Sequence, residues 1–99
     1  MQLGFLHYTY VDNMLEKRQP HRAAHLAYAS KKNSQGDVIM GGALSNPVDA
    51  GIIICRSVAA AEAFAASDPY VINGLVTEFQ VREYNVVVGS FYDTAQAQD

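Results

Sequence analysis

The chain has 99 residues, a formal net charge of −3 and an apolar fraction of 49%. This length suits one domain with a single core, and the apolar fraction is typical of a globular protein rather than a disordered one. The acidic balance argues against nucleic acid or an anionic membrane surface as the main partner.

Signals for export and for membrane insertion are missing from the sequence. Residues 1–7 have no basic start and no sustained apolar run, and no stretch approaches the ~20 apolar residues of a membrane span. The single cysteine, Cys55, follows the apolar residues 52–54, which predicts a buried, small hydrophobic side chain rather than a nucleophile. We therefore expect a cytoplasmic protein without a membrane partner.

The first half of the chain predicts a strand and a helix. Residues 2–11 have strand composition with apolar residues at odd and even positions, which indicates a sheet covered on both faces. A loosely helical stretch follows, and Pro20 then suits the first turn of a helix that ends near Lys32. The stripe predicted to pack on the sheet consists of Ala23, Leu26, Ala27 and Ser30.

The second half predicts three more strands and a second helix. Residues 37–44 form a strand in which Gly41 and Gly42 indicate a bulge or a closely approached backbone. After a third strand over residues 50–56, Ser57 is the expected N-cap of a helix ending near Ser67. Its predicted inward residues are Ala60, Ala63 and Phe64. Residues 75–84 alternate as a fourth strand, and residues 85–91 are a candidate for an added strand.

This order of elements predicts an α+β protein, a ferredoxin-like βαββαβ sandwich with both helices on one face of an antiparallel sheet. We expect a single domain over residues 1–91 and a polar tail over residues 92–99. Because the first and fourth strands are apolar on two sides, the uncovered sheet faces are expected to pair in a homodimer.

Two residues stand out as candidates for proton chemistry. His25 lies on the same side of the first helix as Arg22, and as Arg18 if the helix begins early enough, and Asp68 stands before Pro69 at the end of the second helix. A His/Asp pair can move protons near neutral pH if the fold joins the two side chains. Otherwise His25 is an ordinary hydrogen-bonded residue and Asp68 a turn or helix cap.

Other residues suggest further elements of a binding site. His21 and His25 have a spacing that suits a metal, but no third ligand is specified nearby, so no metal is expected. Gly41 and Gly42 can present backbone N–H groups to an oxyanion. Tyr8 and Tyr70 either pack in the core or line a pocket for a flat ligand.

The chain resembles the YCII-related (YciI-like) family over nearly its whole length. The resemblance rests on Arg22-x-x-His25-Leu26, on the segment over residues 38–44, on Asp68-Pro69-Tyr70 before Gly74-Leu75, and on Arg82-x-Tyr84. Ala43 departs from the pattern, because the family more often has proline after the paired glycines. The resemblance implies a ferredoxin-like fold that dimerises into an α+β barrel, and a His25/Asp68 active-site dyad. One branch of the family resembles dehydrochlorinases that act on chlorinated hydroxyquinols.

These observations together lead to the hypothesis of a small, cofactor-free lyase or isomerase acting on a hydroxylated aromatic substrate. His25 is the predicted general base and Asp68 fixes its tautomer, while Arg22 steadies the phenolate or the leaving halide. The other predicted substrate-binding residues are Gly41, Gly42, Tyr70 and Tyr8. Two alternatives stay open: a non-catalytic ligand-binding or regulatory module, and a monooxygenase-like or peroxidase-like activity on the same barrel.

Overall fold

Residues 1–90 are described by the computed structural model and form four strands and several helices. The elements are β1 (Gln2–Tyr10), α1 (Met14–Lys17), a 3-10 turn (Gln19–His21), α2 (Arg22–Ser34), β2 (Val38–Ala43), β3 (Ala50–Cys55), α3 (Val58–Ser67), α4 (Pro69–Ile72) and β4 (Val76–Asn85). The predicted added strand over residues 85–91 is irregular at residues 86–88, with Gly89 in an isolated β-bridge. Residue 91 of that prediction and the predicted tail lie outside the described residues.

The strands form one antiparallel sheet in the order β2-β3-β1-β4. Two split β-α-β units with this strand order make up the ferredoxin-like fold, which confirms the predicted fold class. None of the helices between residues 1 and 90 combines the length and apolar character needed to cross a bilayer.

The main core lies between the sheet and α3. Leu6 of β1, Cys55 of β3 and Phe64 of α3 are almost completely buried there. Ser57 caps α3 as predicted, because its hydroxyl accepts a hydrogen bond from the N–H of Ala60 at 3.0 Å. The helix start lies directly on Gly4, where an added Cβ would collide with the carbonyl oxygen of Ser57. A glycine in β1 therefore sets how closely α3 approaches the sheet.

This close approach also decides which residues of α3 face inward. Ala60 and Phe64 are buried as predicted, but Ala63 is exposed, so the prediction for Ala63 is wrong. Ala61 and Ala65 are fully buried instead. Only small side chains fit where the helix backbone lies so close to β1, and the apolar pattern of an alanine-rich helix does not distinguish them.

The helix α2 packs less closely, and its predicted packing stripe is wrong. Ala23, Leu26, Ala27 and Ser30 are all exposed, while the half-buried side consists of Arg22, His25, Tyr28, Ala29 and Lys32. The physical reason is that α2 stands off the edge strand β2 across a cavity instead of burying an apolar stripe. Hydrogen bonds attach it, from the Tyr28 hydroxyl to the Phe64 carbonyl at 2.9 Å and from the Asn33 amide to the Val38 carbonyl at 2.8 Å.

The irregularity in β2 also lies at a different place from the one expected. The register with β3 shifts between Val38 and Met40, whereas Gly41 and Gly42 stay in register opposite Ile53 and Ile52. The predicted bulge at the paired glycines is therefore wrong, and the extra residue is the one that precedes Met40.

The sheet face opposite the helices carries a second apolar cluster. Its buried members are Leu3, Ile54 and Val86, packed against Phe5, Ile39 and Ile52. Within residues 1–90 this cluster includes no helix residue, which accounts for the two-sided apolarity of β1.

Candidate active site

Asp68 occupies the junction between α3 and α4 and is fully buried. It is the N-cap of α4, where its Oδ1 accepts a hydrogen bond from the backbone N–H of Tyr70 at 3.0 Å. Pro69 occupies the first position of α4, where its missing N–H costs nothing. The structure thus gives Asp68 the cap role that the sequence left as an alternative, and it adds a second role.

The second role of Asp68 is to join two distant elements. The Tyr8 hydroxyl of β1 donates to Oδ2 at 2.8 Å, and His25 Nδ1 of α2 lies 2.7 Å from Oδ1. A carboxylate only accepts hydrogen bonds, so Nδ1 carries the proton and the lone pair of neutral His25 is on Nε2. The structure therefore brings the two predicted residues together and fixes the tautomer in which Nε2 is the basic atom.

Tyr70 holds the imidazole ring from its other side. The rings of His25 and Tyr70 are stacked, with centroids 3.7 Å apart and an interplanar angle of 4°. An aromatic face also stabilises a cation above it, which favours the imidazolium that forms when His25 takes a proton. Tyr70 is 2% exposed, and its hydroxyl is buried without a hydrogen-bond partner in the described part of the chain.

A cavity of about 370 Å³ opens between α2 and β2 next to this stacked pair. The size is typical of a site for a small molecule. The imidazole is 14% exposed and forms part of the wall. Other wall residues include Tyr10, Arg18, Arg22, Tyr70, Met40, Gly41 and Gly42. Gly41 lies opposite Ile53 on the helix-facing side of the sheet and has no side chain to fill the space beneath α2, whereas Gly42 lies opposite Ile52 on the other face.

Most of the residues predicted to bind substrate line this cavity, but Tyr8 does not. Arg22, Gly41, Gly42 and Tyr70 are all in the wall, whereas Tyr8 is fully buried behind Asp68. The structure places Tyr8 as a hydrogen-bond donor to the carboxylate and not as a ligand contact. Arg18 was not among the predicted site residues and lines the cavity. A 3-10 turn over Gln19–His21 separates Arg18 from α2, so helical spacing does not explain its place in the wall. The one signal in the sequence is its nearness to Arg22.

Two tyrosines next to the site, Tyr8 and Tyr10, are held in their neutral form. Burial, followed by the nearby Asp68, raises the pKa of Tyr8 above its usual range. Burial, followed by Tyr70 and Asp68, raises the pKa of Tyr10 to about 12, against an opposing effect of Arg18 and Arg22. Tyr8 consequently stays a hydrogen-bond donor to Asp68 throughout the neutral range.

Other chemistry finds no support in the described structure. Cys55 is buried as predicted, and burial followed by Asp37 raises the pKa of its thiol to about 11, which disfavours a nucleophilic thiolate. Among residues 1–90, no three His, Cys, Asp or Glu side chains are grouped so that they could hold a metal ion.

Comparison with known proteins identifies the family. The family model described as the YCII-related domain matches residues 2–85. The chain belongs to this YCII-related family. No curated protein matches the chain.

Among solved structures, this YCII-related chain is similar to 5-chloro-2-hydroxyhydroquinone dehydrochlorinase from Burkholderia phenoliruptrix in complex with 2,5-dihydroxybenzoquinone. The TM-score is 0.68 at 21% sequence identity, and the match covers 83% of this chain and 92% of the other. A likeness at this identity shows a shared fold.

Proposed function

We propose that this protein is a lyase that removes hydrogen chloride from a chlorinated hydroxyhydroquinone. The observation that carries the proposal is His25, which is held by Asp68 through Nδ1 and forms part of the cavity wall. The shared fold with a dehydrochlorinase supports the choice of leaving group.

The reaction needs proton transfers and no external oxidant. His25 Nε2 takes the proton of the ring hydroxyl ortho to chlorine, and the resulting imidazolium returns it to the ring carbon that bears chlorine, giving a keto tautomer. Nε2 then takes the proton of the hydroxyl para to the new carbonyl. The electron pair of that O–H bond moves through the ring and the C–Cl bond breaks. The products are a hydroxybenzoquinone, chloride and one proton.

Each partner of His25 supports these transfers. Asp68 keeps Nδ1 protonated and stabilises the imidazolium, and the Tyr8 hydroxyl and Tyr70 N–H hold the carboxylate in place. Stacking on Tyr70 fixes the ring plane. Arg22 in the cavity wall steadies the phenolate oxygen or the departing chloride.

The direct test is incubation with 5-chloro-2-hydroxyhydroquinone, with free chloride measured by electrode and the quinone by absorbance. We expect His25→Ala to lower turnover at least ~100-fold, since a positioned acid–base group contributes ~10²–10⁴ in rate. His21→Ala is the matched control, because His21 lies in the 3-10 turn and is absent from the cavity wall.

Three outcomes would contradict the proposal. Near-full activity of His25→Ala would show that His25 is not the general base. Binding of the quinol without chloride release would favour a ligand-binding module, and oxygen consumption would favour a monooxygenase-like reaction.

We also propose that the protein forms a homodimer through the sheet face opposite the helices. The apolar cluster around Leu3 and Ile54 lies on this face, and Met40 and Tyr84 extend it with 53% and 48% of their surfaces exposed. Pairing with a second copy would bury this surface against an identical one.

A further inference from the structure

The charges around the cavity indicate what kind of ligand it binds. Arg18 and Arg22 both line the cavity, and no ion pair or hydrogen bond of either side chain occurs within residues 1–90. The wall residues include no aspartate or glutamate. The nearby carboxylate of Asp68 is buried and already occupied by Tyr8, His25 and the Tyr70 N–H.

Two guanidinium groups that have no ion-pair partner among the described residues repel each other in one small cavity unless an anion lies between them. Arg18 has its Nε buried without a partner, and the buried Tyr70 hydroxyl also lacks one. Unsatisfied buried donors are uncommon and call for an acceptor that is part of the functional state.

We propose that Arg18 and Arg22 form an oxyanion subsite, so that the cavity selects a single-ring ligand with an ionised oxygen substituent. A carboxylate and an ionised quinone hydroxyl share this chemistry. A planar anionic oxygen pair can accept two parallel N–H bonds from a guanidinium, and a neutral quinol cannot gain this charge-assisted contact. The subsite adds to the proposed function a statement of which ligands the cavity binds. It rests on the proposed function only in that both use the same cavity.

Binding of three ring compounds tests the subsite without requiring turnover. Calorimetric titration at low ionic strength would compare 2,5-dihydroxybenzoate, ionised 2,5-dihydroxybenzoquinone and neutral 1,4-dihydroxybenzene. We expect the wild-type protein to bind at least one anionic compound ~10-fold or more tightly than the neutral one, with an affinity that falls as salt is added.

Arg18→Gln should remove most of this preference, lowering affinity for the anionic compound ~10-fold or more and for 1,4-dihydroxybenzene less than ~2-fold. Lys31→Gln is the matched control, because it removes the same charge from an exposed position on α2 that is absent from the cavity wall. If Arg18→Gln weakens binding of 2,5-dihydroxybenzoate, the recognised group is the carboxylate. If it weakens binding of ionised 2,5-dihydroxybenzoquinone, the recognised group is the quinone hydroxyl.

The subsite would be refuted if neither anionic compound binds more tightly than the neutral one, or if Arg18→Gln weakens all three equally or none. Failure of the chloride-release assay leads to a different conclusion. That failure would contradict the proposed lyase reaction. The subsite would still be established if the wild type prefers an anionic compound over the neutral one and Arg18→Gln loses this preference.

Discussion

Replacing Asp68 with asparagine tests the role of the buried carboxylate with the smallest change of shape. The amide oxygen can still accept from His25 Nδ1 and the Tyr70 N–H, which both bond to Oδ1 in the structure. The amide NH₂ then lies at the position of Oδ2, where the Tyr8 hydroxyl must accept instead of donating. The hydroxyl proton of Tyr8 loses its acceptor, and the negative charge next to His25 disappears.

The structure sets the size of both effects. One buried donor without an acceptor should lower the free energy of unfolding by about 1–3 kcal/mol. The imidazolium would lose its interaction with a carboxylate whose oxygen is 2.7 Å from Nδ1. For charge centres about 4 Å apart at an effective dielectric constant of about 20, this interaction is about 4 kcal/mol. Turnover should therefore fall ~10²–10³-fold, since each 1.36 kcal/mol is about tenfold in rate.

Chloride release and urea unfolding measure the two effects separately. Tyr8→Phe is the matched control, because it removes the hydrogen bond to Oδ2 but keeps the charge of Asp68, and its turnover should fall by no more than ~10-fold. A folded Asp68→Asn protein with turnover within ~3-fold of the wild type would refute a role of the carboxylate in stabilising the imidazolium.

Three other predictions concern stability and assembly. Gly4→Ala should lower the free energy of unfolding by at least ~2 kcal/mol in urea, because the new Cβ meets the Ser57 carbonyl; an unchanged midpoint would contradict the close approach of α3. Burial raises the pKa of Cys55 from 9.0 to about 11, so above about pH 9 the unfolded state binds fewer protons and stability falls, by up to ~1.4 kcal/mol per pH unit until about pH 11. Cys55→Ala should make this alkaline decline of the urea midpoint shallower, and an equal slope would exclude the thiol. Ile52→Glu on the sheet face opposite the helices should convert the proposed dimer into a monomer in light scattering, whereas a monomeric wild type would contradict the proposed interface.

Local signals in the sequence predicted the elements well. The hydroxyl of Ser57 determines where α3 begins, as predicted, and its effect acts within a few residues. The inward side of α2 could not be predicted in the same way. The alanines of α2 give apolar stripes in several directions. The helix lines a cavity with Arg22 and His25 and contacts the core through Tyr28, instead of burying a continuous apolar stripe.

The sequence predicted most residues of the site, but it predicted fewer of the hydrogen bonds that join them. Helical spacing placed Arg22 and His25 on one side of α2, whereas Arg18 precedes the 3-10 turn and reaches the cavity from outside that helix. The partner Asp68 is 43 residues away from His25, and the family resemblance paired the two. The position of Tyr8 depends on contact between β1 and the α3–α4 junction 60 residues later. No pattern within β1 distinguishes a tyrosine that holds a carboxylate from one that contacts a ligand.

The protonation of the His25 ring is the property on which the proposed chemistry depends most directly. Long-range ¹H–¹⁵N correlation spectra near pH 8, assigned with the His25→Ala variant, report which ring nitrogen carries the proton. We expect a protonated Nδ1 and a bare Nε2, because Nδ1 donates to the Asp68 carboxylate. A neutral ring protonated on Nε2 would contradict the assignment of His25 as the base that faces the cavity.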